Sequence, residues 1–142
     1  MRIKFLKRTK ILSIVLCISI ATATAQELTT LKSCKFIPTE WADGDSFLVQ
    51  VQDGTQYTIR LYGADCFEWH VSDETDARRL RAQRRYFGIS EAGGSPQASM
   101  KIAKDFGKAA ADEVALALKE PFTVHTAFAD ARGDGKHKRV YA

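Results

Sequence analysis

The chain has 142 residues, of which 45% are hydrophobic and 27% are charged, and its formal net charge is +4 at pH 7. Five basic residues lie within the first ten positions without an acidic neighbour, so the remainder of the chain has a net charge of −1. The overall charge therefore excludes any argument for nucleic-acid binding from pI alone. Such an argument has to come from local clusters of basic residues.

Residues 1–25 have the composition of a secretory signal peptide. The basic start is followed by an apolar run, Ile11–Ile20, and then by the small residues Ala23-Thr24-Ala25, which suit a signal peptidase. An uncleaved N-terminal anchor is the alternative, although the run is shorter than the roughly 20 residues that a spanning helix needs. We therefore expect a secreted or periplasmic protein with no stable membrane association after cleavage.

The remaining segment, residues 26–142, is long enough for one small domain and too short for two. It contains Cys34 and Cys66, which either form the kind of disulfide common in exported proteins or remain free thiols. Neither cysteine has a histidine or a second cysteine at the spacing of zinc ligands. The sequence therefore does not predict a zinc site.

Alternating hydrophobic residues predict a β-hairpin in the first half of this domain. The alternation runs through Phe47–Val51 and again through Tyr57–Leu61, and Asp53-Gly54 between them is typical of a tight turn. An earlier strand is predicted from Cys34 to about Trp41. The first half is thus expected to be β structure.

A run of five arginines marks the next element. We predict that Asp76–Phe87 is a short basic helix ended by Gly88, and that Glu91–Ser95 is a loop. Such a helix usually presents a solvated charged face, and a contact with a phosphate backbone is the alternative. The sequence leaves these two interpretations open.

A longer helix is predicted after this loop. Ser95 suits the N-cap position and Pro96 the first helical position, where its missing N–H has no cost. Hydrophobic residues then recur at spacings of three and four from Ala103 to Leu118, and Pro121 ends the pattern. This helix is expected to pack its apolar face on the β structure.

Two further strands are predicted after the helix. They are Phe122–Phe128 and Arg139–Ala142, with a charged loop over 129–138 between them. Strands, one packed helix and strands again suit an α+β fold that is mainly β. The prediction is a five-stranded barrel of the oligonucleotide-binding (OB) type with a packed helix.

The candidate chemistry lies around the hairpin. Two carboxylates in Asp43-Gly44-Asp45-Ser46, the guanidinium of Arg60 and the acidic pair in Asp65-Cys66-Phe67-Glu68 lie in one short stretch. Carboxylate oxygens are hard ligands that suit a divalent cation such as calcium, and a guanidinium fork suits a phosphate. Taken singly, each residue has a structural explanation. Asp43 and Asp45 could be turn formers, and Glu68 could be a solvated loop acid. Arg60 could be a strand residue whose guanidinium reaches water. As an ordered set they predict metal-assisted cleavage of a phosphodiester.

The order and spacing of these motifs resemble the staphylococcal nuclease (thermonuclease) family, over about Phe36–Ala142. The resemblance implies the OB-type barrel. The family continues through another strand and further helices, so we expect this chain to be truncated at its C-terminus. The motifs that carry the resemblance are Asp43-Gly44-Asp45-Ser46, Arg60-Leu61-Tyr62, Gly63-Ala64-Asp65-Cys66-Phe67-Glu68, the helix from Ser95, and Lys138-Arg139-Val140-Tyr141-Ala142.

The resemblance also implies a role for each site residue. Asp45, Asp65 and the backbone carbonyl of Cys66 would bind calcium. Glu68 would orient or deprotonate the attacking water. The two arginines that would hold the scissile phosphate are Arg60 and Arg139.

The expected function is that of a secreted, monomeric, calcium-dependent nuclease. Its substrate would be DNA, with RNA left open as a second one. Two arginine forks and a cation aimed at the phosphoryl oxygens would stabilise the charge that develops during in-line displacement. The alternative is a non-catalytic nucleic-acid-binding domain of the OB type.

Overall fold

The computed structural model describes residues 27–132 and 139–142. The predicted signal peptide, residues 1–25, and most of the predicted loop over 129–138 lie outside the described residues. The elements in chain order are β1 (Thr29–Ile37), β2 (Ser46–Gln50), β3 (Gln56–Arg60), α1 (Glu74–Tyr86), α2 (Ile89–Ala92), α3 (Pro96–Ala117), β4 (Phe122–Thr126) and β5 (Arg139–Tyr141).

The predicted hairpin is confirmed. Strands β2 and β3 pair antiparallel, with Phe47 opposite Ile59. In the turn between them, Gly54 has a φ of 87°, which favours glycine. The Asp53 carboxylate accepts a hydrogen bond of 2.8 Å from the backbone N–H of Thr55. Alternation and turn chemistry therefore act together to fix the register of this hairpin.

The strands form one five-stranded sheet in the order β4-β1-β2-β3-β5. All neighbouring pairs are antiparallel except β3 and β5, which are parallel. This sheet, together with the helices, confirms the α+β class. The prediction that the fold is mainly β is wrong, because in the described residues the helices contain more residues than the strands. Within the described residues the sheet is not closed, because β4 and β5 are its two edges, so the predicted barrel is not confirmed.

The two edges are nevertheless in contact. The N–H of Ala131 donates to the carbonyl of Arg139, and the N–H of Tyr141 donates to the carbonyl of Ala129, both at 3.0 Å. The hydroxyl of Thr126 in β4 donates to the carbonyl of Tyr141 at 2.6 Å. The segment that follows β4 thus hydrogen-bonds to β5 without extending β4 as a strand.

Strand β1 differs from its predicted bounds of Cys34 to about Trp41. It begins earlier because Thr29–Leu31 pairs with β4, a partner that local alternation cannot reveal. It ends at Ile37 because the next residue, Pro38, has no backbone N–H to donate to a sheet.

The core lies between the sheet and α3. It contains the buried side chains of Cys34, Phe47, Val49, Ile59, Val124 and Val140, and Val114 and Leu118 of α3 pack against it. Both Cys34 and Cys66 are free thiols in this structure. Of the two alternatives that the sequence left open, the structure has free thiols and not a disulfide.

The helices follow their capping residues. The Asp73 carboxylate caps α1 by accepting hydrogen bonds from the N–H groups of the first turn, and the Ser95 hydroxyl caps α3, where Pro96 is the first residue. Both predicted helices are confirmed. The prediction that Glu91–Ser95 is a loop is wrong at its start, because α2 includes Glu91 and Ala92. The sequence did not reveal α2 because four helical residues are too few to show a periodic pattern.

Among the helices of the described ranges, none combines the length and the apolar character that crossing a membrane requires.

Helix α3 approaches the segment that carries Glu68 very closely. A Cβ atom added at Gly107 would overlap the carbonyl oxygen of Phe67 and lie 3.1 Å from the Cβ of Trp69. A Cβ atom at Gly44, in the turn before β2, would lie only 2.8 Å from the Cβ of Ala110. Two glycines thus allow one helix to contact both segments that carry the candidate acids.

We predict that Gly107→Ala destabilises the protein by about 1–3 kcal/mol, because overpacking against a backbone carbonyl forces a shift. Elsewhere in a helix the same change is stabilising by up to about 1 kcal/mol. Urea unfolding measures the difference. Glu113→Ala, at an exposed position of α3, is the control and should be nearly neutral. A Gly107→Ala protein as stable as the parent would show that the close approach is not a constraint.

Candidate active site

A cleft of about 530 Å³ lies beside the end of the hairpin opposite its turn, where Ser46 and Thr58 contribute to the lining. The turn before β2, the extended segment after β3, helix α1 and strand β5 all contribute to its lining. Its charged lining residues are Asp43, Glu68, Asp76, Arg79, Arg132 and Arg139. Carboxylates and guanidinium groups from distant parts of the sequence therefore face the same space.

Two carboxylates lie side by side at the start of β2. The Asp43 carboxylate accepts hydrogen bonds from the N–H of Asp45 at 3.1 Å and from the N–H of Ser46 at 2.6 Å, which forms the turn. Burial, together with the negative charge of Asp45, raises the pKa of Asp43 to about 6. Asp43 is thus both a turn former and a component of the cleft; the sequence placed it in the candidate set, although the family resemblance gave it no metal-binding role.

The side chain of Arg60 joins two of the predicted calcium ligands. Its Nη1 donates to Asp45 at 2.6 Å and its Nη2 to Asp65 at 2.9 Å. Asp45 is only 1% exposed, so this guanidinium is the counter-ion of a buried carboxylate. Arg60 does not line the cleft. Its predicted contact with the scissile phosphate stays a prediction.

Glu68 lies in the cleft and is 8% exposed. Its Oε1 is 2.6 Å from Nη1 of Arg79, and its backbone N–H donates to the Gln83 side chain at 3.1 Å. Burial raises the pKa of Glu68 to about 7, against the lowering effect of Arg79. A carboxyl group whose pKa is near neutrality can both accept and release a proton, which suits general-base catalysis.

Two residues of α1 that the sequence did not single out hold this segment in place. Gln83 donates to the carbonyl of Cys66 at 2.7 Å and to Asp65 at 3.3 Å. Arg79 contacts Asp65 at 3.2 Å as well as Glu68. They are four residues apart and so lie on one face of the helix. That spacing was visible in the sequence, but the four other arginines of the run obscured it.

Arg139, the first residue of β5, also lines the cleft, although it lies far from Glu68 in the sequence. Parallel pairing with β3 places it beside Thr58, and its Nη2 donates to the Ser46 hydroxyl at 2.6 Å. That hydroxyl in turn donates to Asp45 at 3.1 Å. These side-chain hydrogen bonds connect Arg139 to the carboxylate turn, and its predicted contact with the scissile phosphate stays a prediction.

Of the predicted metal ligands, Asp45 lies in a cluster of side-chain donor atoms and Asp65 does not; the predicted backbone carbonyl of Cys66 is not an atom of that cluster and accepts a hydrogen bond from Gln83. Side-chain donor atoms of Asp43, Asp45 and Cys66 lie within 4.8 Å of one another in the part of the chain that the structure describes, and this group does not include Asp65. Burial and the negative charges of Asp43 and Asp45 raise the pKa of the Cys66 thiol to about 12, so it stays neutral. The two carboxylates fit a hard cation such as calcium, whereas a neutral thiol adds little.

The side chain of Asp65 is more than half exposed. Burial alone would raise its pKa, but hydrogen bonds from Arg60 and Gln83 and the charge of Arg79 outweigh that effect and hold the pKa below its ordinary value. Asp65 is therefore a stable anion that three side chains of the protein already contact.

The chain has three histidines, and their spacing in the sequence is not that of ligands for one metal ion. His70 lines the cleft, and burial lowers its pKa. His125 hydrogen-bonds to Thr30 on the exposed surface of the sheet at 3.1 Å. His137 lies outside the described residues. The position of His70 in the cleft is a feature that its sequence spacing did not indicate.

Comparisons of the chain with protein-family models, with curated proteins and with solved structures give no match. The resemblance to the staphylococcal nuclease family therefore stays a prediction. Any functional conclusion has to rest on the residues of the cleft and their geometry.

Proposed function

We propose that this protein is a calcium-dependent nuclease that hydrolyses phosphodiester bonds in DNA, with RNA as a second substrate to be tested. The observation that carries the proposal is the composition of the cleft. A buried carboxyl group with a pKa near neutrality, Glu68, shares it with Asp43 and with the guanidinium groups of Arg79 and Arg139. A base, an acidic cation ligand and anion-binding forks are the groups that phosphodiester hydrolysis needs.

Each side chain has a distinct task in this proposal. Asp43 and Asp45 would hold the cation, which supplies positive charge close to the phosphoryl oxygens when bound. Glu68 accepts a proton from water as the water oxygen bonds to phosphorus. The ester P–O bond breaks, and the departing oxygen takes a proton from solvent. Arg139 donates hydrogen bonds to a non-bridging phosphate oxygen, where a planar fork is more effective than an ammonium group.

Arg79 has a supporting task. Its contact with the Glu68 carboxylate at 2.6 Å fixes the orientation of the proposed base and keeps part of it ionised despite burial. The guanidinium is itself partly exposed at the cleft, where it can also attract a phosphate. Arg79 is therefore a positioning residue in the proposed mechanism.

One observation favours the second candidate, a non-catalytic nucleic-acid-binding domain. The guanidinium of Arg60 already bridges Asp45 and Asp65 and offsets part of their negative charge. Carboxylates that have an internal counter-ion need no metal ion for the protein to be stable. The two candidates differ in calcium dependence and in turnover.

We further propose that the sheet is of the OB type. Such barrels are five-stranded and partly open, and the contacts of residues 129–131 with β5 lie where the two edges of the sheet would close. We also propose that residues 1–25 direct export and that the released protein is a monomer. These proposals extend the expectations drawn from the sequence.

The proposal predicts that cleavage of DNA depends on calcium and stops when a chelator is in excess. Asp43→Asn keeps the oxygen that accepts the turn hydrogen bonds but removes a negative charge. It should raise the calcium concentration needed for half-maximal activity by at least about tenfold. Release of acid-soluble nucleotides across a calcium titration measures this. Glu120→Gln, on the exposed surface, is the control. Full activity in excess chelator contradicts the proposal.

The second prediction concerns Glu68. Glu68→Gln should lower kcat by about tenfold to ten-thousandfold, because general-base assistance acts in the transition state, while the affinity for DNA changes little. Turnover and equilibrium binding are measured on the same preparation, with Glu91→Gln as the exposed control. A variant that binds and turns over normally would remove Glu68 from the mechanism. Binding without turnover in the parent protein would favour the non-catalytic candidate.

A further inference from the structure

Four aromatic side chains meet outside the cleft, where the end of α1, the middle of α3 and the segment before Glu68 come together. The ring of Phe67 lies 5.2 Å from Phe87 and 6.2 Å from Phe106, and Tyr86 lies 4.9 Å from Phe87, measured between ring centres. We call these four residues the aromatic surface.

Three of these rings are largely in water. Tyr86 is 83% exposed, Phe87 59% and Phe106 57%. Packing of the helices does not explain exposure of this size, because a ring that stabilises the fold by burial loses contact with water. Contiguous exposed apolar groups on a protein surface usually mark a binding site.

Three arginines accompany the aromatic surface. The five arginines of α1 fall into two sets. The first set contacts other parts of the protein: Arg79 pairs with Glu68 and Asp65, and the buried Arg84 donates to the carbonyl of Pro96 at 3.0 Å. The exposed set, which we call the arginine stripe, is Arg78, Arg81 and Arg85.

The arginine stripe follows one face of α1. Its members are spaced by three and four residues, which places them in a row that ends next to Tyr86. Arg81 contacts Glu74 at 2.6 Å, but both side chains are at least half exposed, so this pair is weak. A row of exposed guanidinium groups beside exposed rings is complementary to a chain with alternating phosphates and aromatic bases.

We propose that the aromatic surface and the arginine stripe bind single-stranded nucleic acid, whose unpaired bases stack on the rings while its phosphates contact the stripe. Stacking on aromatic side chains is available to every base in a single strand but not to paired and stacked bases inside a duplex. This inference rests on the proposed function, because it supplies the substrate class for the same cleft.

The position of the aromatic surface relative to the cleft supports this substrate. Arg79 contacts Glu68 in the cleft, and Tyr86 follows seven residues later on the same helix, about 10 Å along its axis. A few nucleotides span that distance. A strand lying along α1 therefore reaches the proposed base while its neighbouring bases occupy the aromatic surface.

Binding is tested with a fluorescently labelled oligonucleotide and with the duplex of the same sequence. Anisotropy is measured on the Glu68→Gln chain in excess chelator, so that the ligand stays intact. The single strand should bind at least about fivefold more tightly than the duplex. Tyr86→Leu and Phe106→Leu should each weaken single-strand binding about fivefold or more, with little effect on the duplex, whereas Tyr86→Phe keeps the ring and should keep the affinity.

Matched variants separate stacking from general effects. Tyr62→Leu removes a ring that is 82% exposed and lies outside the aromatic surface, and it should leave single-strand binding unchanged. Arg78→Gln and Arg85→Gln should each flatten the dependence of log affinity on log salt by about 0.7 for a single strand, whereas Lys119→Gln should not. Thermal melts confirm that every variant is folded.

The outcomes distinguish this inference from the proposed function. Equal binding of single strand and duplex, no binding of either, or no loss in the leucine variants overturns the inference. A mass that increases with protein concentration and returns to the monomer value in those variants would assign the aromatic surface to self-association and also overturn it. Calcium-dependent cleavage without single-strand preference leaves the proposed function standing alone. Single-strand preference without cleavage leaves only the inference.

Discussion

The buried carboxylate of Asp45 is the interaction on which the arrangement of the site depends. One of its oxygens accepts from Arg60 in β3 and from the Ser46 hydroxyl in β2, and the other accepts from the backbone N–H of Cys66. A single side chain therefore joins the hairpin to the segment that leads to Glu68. Removing one partner from a buried ion pair typically costs about 3–5 kcal/mol. The position of Glu68 is thus coupled to the stability of the hairpin.

The balance of charge around the cleft follows from this arrangement. Arg60 pairs with the buried Asp45 and with the exposed Asp65, and Arg79 pairs with Asp65 and with Glu68 at the cleft. Asp43 has no such arginine contact among the described ion pairs, and burial next to Asp45 raises its pKa to about 6. The site therefore carries a carboxyl group that a bound cation would stabilise in its charged form. For this reason Asp43 is the first ligand that we assign to the proposed cation site.

Much of the fold could be predicted from local signals. The alternation of Phe47–Val51 and Tyr57–Leu61 with Asp53-Gly54 between them specifies the hairpin, and Ser95-Pro96 specifies the start of α3. Features that depend on distant partners could not be predicted in this way. The early start of β1 requires β4, and α2 is a single short turn of helix without a repeating pattern.

The site shows the same division between local and distant information. The sequence identified Glu68 and Arg139 as candidates, and both line the cleft. It could not show which arginines of α1 face inward, because a dense run of one residue type has no hydrophobic period of its own. Only packing separates the paired Arg79 and the buried Arg84 from the exposed set.

The close approach of α3 has a consequence for motion within the site. The helix contacts the carboxylate turn at Gly44 and the Glu68 segment at Gly107, and these two contacts lie on one continuous element of 22 residues. A helix of this length moves largely as a rigid rod on the timescale of loop fluctuations. Displacements of the two segments are therefore correlated. Thermal motion of the surrounding loops would carry the acidic pair and Glu68 together and leave the separation between them nearly constant.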